Sequence, residues 1–188
     1  MNIAMLLQMA SESCPERIAL THDGKNYSYK KLYKAAQAAA AMIRNENCSS
    51  VAILDTSSPA IPIAMMAAAI IGIPYIPLNF RLTTAEINAL VERISPAYLI
   101  IGDEFDVALN IKAKHTRNDF LTQIQKVEVV DETWNEDPTR IAVQLFTSGT
   151  TGTPKSAILR HEHLVSYILS SVEFMGAQEN EATLVSVP

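Results

Sequence analysis

Ten residues, TSGTTGTPKS from Thr147 to Ser156, hold six hydroxyl side chains, two glycines and a proline-lysine pair. Apolar residues flank them on both sides. A generic turn needs one or two Gly, Asn or Asp residues and has no use for so many hydroxyls. Gly149 and Gly152 allow close backbone approach. Thr147, Ser148, Thr150, Thr151 and Thr153 supply hydroxyl donors, and Lys155 adds an ammonium with three more. Pro154 fixes one backbone angle ahead of that lysine. Backbone N–H groups, hydroxyls and one cation together suit a polyphosphate, whereas a carboxylate or single phosphate needs fewer donors. The bland alternative is a polar hairpin facing water. The spacing is not that of a Walker A loop, which has four residues between its glycines and Lys directly after the second.

Other candidate chemistry is weaker. The segment DETWNEDPTR carries the carboxylates Asp131, Glu132, Glu136 and Asp137, irregularly spaced beside Pro138. That pattern reads as a solvated connection rather than a metal site. His161 and His163 are two apart, so on one helix they face different directions and read as polar residues at a helix start. Cys14 and Cys48 lack any CxxC pairing and read as reduced thiols of a cytoplasmic protein. A net charge of -5 argues against general nucleic-acid binding, so any affinity for phosphate is local.

The elements that must position the loop follow from periodicity. Asn2 to Cys14 reads as an amphipathic helix. IALTH and NYSY, joined by Asp23-Gly24, form a hairpin signal. Ser28 caps an Ala-rich helix over Tyr29 to Asn45, and SSVAILD is a strand covered on both faces. A helix follows Ser58 and a strand lies around Tyr75-Ile76. TTAE opens a further helix with a capping box at Thr83. AYLII is a buried strand, Asn118 caps a short helix to Gln125, and VEVV is a strand. Ile141 to Phe146 and SAILR are strands on either side of the loop. His161 to Met175 is a helix, and TLVSVP begins another strand. Strand and helix alternate, which predicts an α/β layered, mostly parallel sheet with helices on both faces. Thr56 to Phe80 lacks any charge and has the length of a bilayer span. Pro62, Gly72, Pro74 and Pro77 break it into a buried helix, a turn and a strand, so no membrane span is expected.

FTSGTTGTPKSAILRHEHL resembles the signature loop of the adenylate-forming superfamily, which contains acyl-CoA and aryl-CoA synthetases, luciferases and the adenylation domains of peptide synthetases. YSYKKLY (Tyr27 to Tyr33) and GIPYIPLNFRLTTAEI (Gly72 to Ile87) are similar to two earlier segments of that family, in the same order. Ser156 stands where the family usually has Gly, and Arg160 where it usually has Thr. The resemblance implies a two-step ligase using ATP and Mg2+. A carboxylic acid attacks the α-phosphorus, giving an acyl-adenylate and pyrophosphate; a thiol of coenzyme A or of a carrier protein then displaces AMP. It also implies that Thr147, Ser148, Gly149, Thr150, Thr151, Gly152 and Lys155 embrace the β- and γ-phosphates, that Lys155 is catalytic, and that Thr147 touches the metal.

The family's adenine, ribose and hinge motifs are expected beyond Pro188. Residues 1–188 therefore read as the N-terminal part of an adenylation domain, inactive by itself. An acyl-CoA synthetase is the expected branch, because no carrier-domain sequence is present. The alternative is a non-catalytic module acting in assembly or self-association, such as a homodimer formed through an unpaired sheet edge.

Overall fold

The structure is a computed structural model that describes residues 1–109, 111, 113–129, 134, 136–147, 155–173, 176–178 and 181–185. Helix α1 (Ile3–Ser13) starts at Asn2, whose side chain accepts from the Ala4 N–H at 3.0 Å. The same side chain donates to the Ala69 carbonyl at 2.7 Å, so the cap also ties α1 to a later helix. Strands β1 (Ile18–His22) and β2 (Lys25–Ser28) form the foreseen antiparallel hairpin. Its turn residues, Asp23 and Gly24, have φ of 47° and 71°, the left-handed pair that matches strand twist. Ser28 caps α2 (Tyr29–Arg44) by accepting from the Lys31 N–H.

The central sheet then builds up from β3 (Ser50–Leu54), α3 (Ala60–Ile71), β4 (Tyr75–Pro77), α4 (Thr84–Ile94) and β5 (Ala97–Ile101). It is completed by β6 (Lys114–Thr116), α5 (Arg117–Ile124), β7 (Ile141–Thr147), β8 (Lys155–Arg160) and α6 (His161–Ser171). Strand order is β6-β5-β3-β4-β7-β8, parallel throughout except for the antiparallel β7–β8 pair. All five residues of β3 and of β5 are buried, as expected of strands covered on both faces. One face packs under α1, α2, α3, α5 and α6, and the other under α4. Ala36 and Ala38 to Ala40 of α2, with Ala64, Ala67 and Ala68 of α3, are all buried; small side chains let these helices approach closely. Larger residues such as Ile63, Leu99 and Ile100 are fully buried, each worth about 1.5–3 kcal/mol in apolar burial.

The charge-free stretch is a 12-residue helix followed by a turn at Gly72 (φ 75°) and a short strand. Among the described residues no helix is long and apolar enough to cross a membrane. The capping box at Thr83 and Glu86 is present.

Four expectations are corrected. The cap of α5 is Thr116, whose hydroxyl accepts from the Asp119 N–H at 3.1 Å, and not Asn118. Val127 to Val129 form no strand, because the slot beside β5 is taken by β6, a polar segment with no apolar signal; Val127 and Val129 instead pack against the core as side chains, and Val130 lies outside the described residues. Helix α6 ends at Ser171, where the Val172 N–H closes the last turn on the Ile168 carbonyl and Val172 itself is extended; Met175 lies outside the described residues. Thr183 to Val185 pair with no strand and run exposed past the β1–β2 hairpin, and Ser186 to Pro188 lie outside the described residues.

Candidate active site

Because β3, β4, β5 and β7 run parallel, their carboxyl ends share one edge of the sheet. Thr147 ends β7 and Lys155 opens β8, so the hydroxyl-rich loop emerges from that edge. Ligands of open α/β sheets bind outside the carboxyl ends of the strands. Thr147 and Lys155 are cross-strand partners, and the Thr147 hydroxyl donates to the Lys155 carbonyl at 3.4 Å. Both side chains are exposed. Ser148, Gly149, Thr150, Thr151 and Gly152 lie outside the described residues, as do Thr153 and Pro154. Behind this pair, Phe146 packs with the α4-side core, and the Arg93 guanidinium lies over its ring at 5.2 Å. The apolar flanks noted in the sequence thus root the polar loop in the sheet.

The other end of β8 is held separately. Arg160, one of the two residues that depart from the resembled pattern, donates from its guanidinium to the Thr139 carbonyl, and its N–H donates to His163 Nδ1 at 3.3 Å. Arg160 pairs with Ile141 at the start of β7, a full strand length from Lys155, so the departure does not touch the loop's donors. His161 is more than a polar helix start. It is 1% exposed and its Nδ1 accepts from the Ile3 N–H at 3.5 Å, joining α6 to α1. Its Nε2 is buried without a partner among the described residues, and burial, followed by the N-terminal ammonium and Arg140, lowers its pKa below the ordinary value.

Sequence reasoning missed the polar network beside the loop edge. Asp55 follows β3 with its side chain fully buried and accepts from the Ser58 hydroxyl, the Thr56 N–H at 2.9 Å and Arg117 Nη1 at 2.8 Å. Arg117 also pairs with Asp103 at 3.3 Å and Glu104 at 3.0 Å. Burial opposes the Arg117 charge, yet Asp55 and Glu104 outweigh it and raise the pKa. A Cβ at Gly102 would lie 2.5 Å from Asp55 Oδ1, so glycine is required there. The only local signal was a charged residue closing an apolar strand; its partner is 62 positions away. Asp55 and Ser58, with Tyr75, Leu78, Asn79 and Arg81, line an open cleft of about 1490 Å³ beside the β1–β2 hairpin.

A profile of the AMP-binding enzymes matches residues 7–188. The chain belongs to the AMP-binding enzyme family. It is 26% identical over 185 residues to a D-alanine–D-alanyl carrier protein ligase of Staphylococcus haemolyticus (strain JCSC1435), covering 95% of this chain and 36% of the ligase. It is 30% identical over 163 residues to the hybrid PKS-NRPS synthetase iliA of Neonectria sp. (strain DH2), covering 79% of this chain and 4% of that protein. The fold matches the inhibitor-bound N-terminal domain of FACL13 from Mycobacterium tuberculosis with a TM-score of 0.77 at 19% identity, covering 92% of this chain and 48% of that domain. The chain therefore spans about a third of the ligase and about half of the solved domain.

Two of the foreseen residues, Thr147 and Lys155, meet at the loop root with a hydroxyl and an ammonium turned to solvent. Among the described residues no group of three or more His, Cys, Asp or Glu could hold a metal ion. Asp131 and Glu132 lie outside the described residues, while Glu136 and Asp137 are exposed, in keeping with a solvated connection. Cys14 and Cys48 are free thiols.

Proposed function

We propose that this chain is the N-terminal part of an adenylation domain, and that its β7–β8 loop grips the triphosphate tail of ATP while a carboxylic acid is activated. The observation that supports this most is the pairing of Thr147 with Lys155 at the carboxyl edge of the sheet, in a chain matched to the family over residues 7–188. In this reading Thr147, Ser148, Gly149, Thr150, Thr151 and Gly152 direct hydroxyl and N–H donors at the β- and γ-phosphates. Lys155 is the catalytic group: its ammonium meets the charge that accumulates on the departing pyrophosphate, and a fixed donor is worth most where charge develops in the transition state. The Thr147 hydroxyl, 3.4 Å from the Lys155 carbonyl, also has lone pairs that would meet Mg2+. When bound, Mg2+ would supply further positive charge against that of the departing pyrophosphate.

The acyl group then passes to a thiol. Relatives named above include a carrier protein ligase and a hybrid PKS-NRPS synthetase, which supports a carrier-protein thiol as an acceptor beside the coenzyme A expected from the sequence. Both acceptors end in the same pantetheine chemistry. Carboxylate-dependent ATP–pyrophosphate exchange tests the first step in a protein that joins this chain to the rest of an adenylation domain. Thioester formation with coenzyme A and with a pantetheinylated carrier protein tests the second. The 188-residue chain alone is expected to give no exchange.

A further inference from the structure

We infer that Arg93 is a positioning residue for the β7–β8 loop: its guanidinium, laid over the Phe146 ring, fixes the strand end from which the loop leaves. The inference rests on the adenylation reading and deepens it by adding a residue from an earlier helix.

The root of the loop has two faces. Side chains alternate along a strand, so Phe146 faces the α4-side core while Thr147, next in the chain, faces away from it. Across the hairpin Phe146 pairs with Ser156, and Thr147 pairs with Lys155. A swing of the Phe146 ring therefore turns the backbone that carries Thr147 and its partner. Phe146 is half-buried at the margin of the core, so packing covers only part of its ring. The Arg93 Cζ lies 5.2 Å from the ring centroid, within cation–π reach.

Helix α4 delivers that arginine. Arg93 sits in the last turn, where the helix dipole favours a cation, and Leu90, Val91 and Ile94 bury the helix face around it. The arginine is thus anchored on the well-packed side of the junction, and its guanidinium acts on the exposed side. A planar guanidinium stacks on an aromatic face in a way that an ammonium reproduces only in part. Arg93 is itself exposed, so removing its head group opens no cavity and costs the fold little. Its effect falls on the direction of the groups at the loop root, where a misplaced donor loses transition-state stabilisation.

ATP–pyrophosphate exchange by an adenylation domain containing this chain tests the role. Arg93→Met keeps an apolar stem and removes the guanidinium. Its kcat/KM for ATP should fall about two- to fivefold, the range a cation–π contact at an exposed site is worth, at an unchanged melting temperature. Arg93→Lys should recover part of the loss. Arg93→Met should have no further effect in a Phe146→Leu background, and its full effect in a Phe146→Tyr background, which keeps the ring. An unchanged kcat/KM in Arg93→Met, or a loss that tracks a lowered melting temperature, would overturn the inference. So would an equal loss with and without the ring, since Arg93 would then act as a charge and not through Phe146. Lys155→Ala, assayed alongside, separates the two readings. Slowed exchange there with a silent Arg93→Met removes the positioning role alone, whereas unchanged exchange in Lys155→Ala removes the phosphate-binding reading.

Discussion

The β3–β5 half of the sheet and the β7–β8 half are built on opposite terms. In the first, every strand residue is buried, helices cover both faces, and the strand ends are tied by a buried carboxylate and a shared arginine. In the second, the strands surface within a few residues of the core, and β8 has only Leu159 partly covered. Stability is concentrated where nothing polar needs to meet a ligand. The loop proposed to hold phosphate joins β7 to β8 on the half that leaves Thr147 and Lys155 exposed, with Phe146 packed at its root and Arg160 anchoring the far end of β8.

The contrast predicts how each half responds to change. Arg117→Ala strands the buried Asp55 carboxylate and should cost about 3–5 kcal/mol in chemical denaturation, the scale for breaking a buried pair. A loss below ~1 kcal/mol would mean that Asp55 finds other partners. Leu99→Ala, in the fully buried β5, should cost about 2–5 kcal/mol. Ile158→Ala, on the exposed strand, should stay within about 0.5 kcal/mol. Equal losses at the two sites would erase the distinction between the halves.

A smaller effect acts through His161, which joins α6 to α1. Its folded pKa is depressed below the ordinary value of about 6.5, so the unfolded chain binds the proton more readily. The neutral ring's contribution is complete above that value and is lost as pH falls through the window beneath it, down to the folded pKa. Asp137, Arg140 and the N-terminus are the charged groups acting on it. Stability measured from pH 7 toward pH 5 should fall for the parent chain, and the fall should be shallower in His161→Asn, which keeps an acceptor for the Ile3 N–H. Identical slopes would remove His161 from the pH response.

Much of the first half was readable from local chemistry. Ser28, Asp23-Gly24 and the Thr83–Glu86 box each state their structure within four residues, and a run such as AYLII announces a strand covered on both faces. Thr116 and Asn118 are both good caps, and only the pairing of Lys114 to Thr116 with β5 selects the first. VEVV has the composition of a strand, but the place beside β5 is taken by Lys114 to Thr116. The Asp55–Arg117 pair joins residues far apart in the chain, so no window could reveal it. In the candidate site the donor inventory was legible. The cross-strand alignment of Thr147 and Lys155, which follows from the β7–β8 register, was not.

The most direct test is ATP–pyrophosphate exchange by an adenylation domain containing this chain, comparing Lys155→Ala with the parent at matched thermal stability. The account predicts exchange slowed by ~10²-fold or more with an unchanged melting temperature, since Lys155 is exposed and supports no packing. An unchanged exchange rate would contradict it.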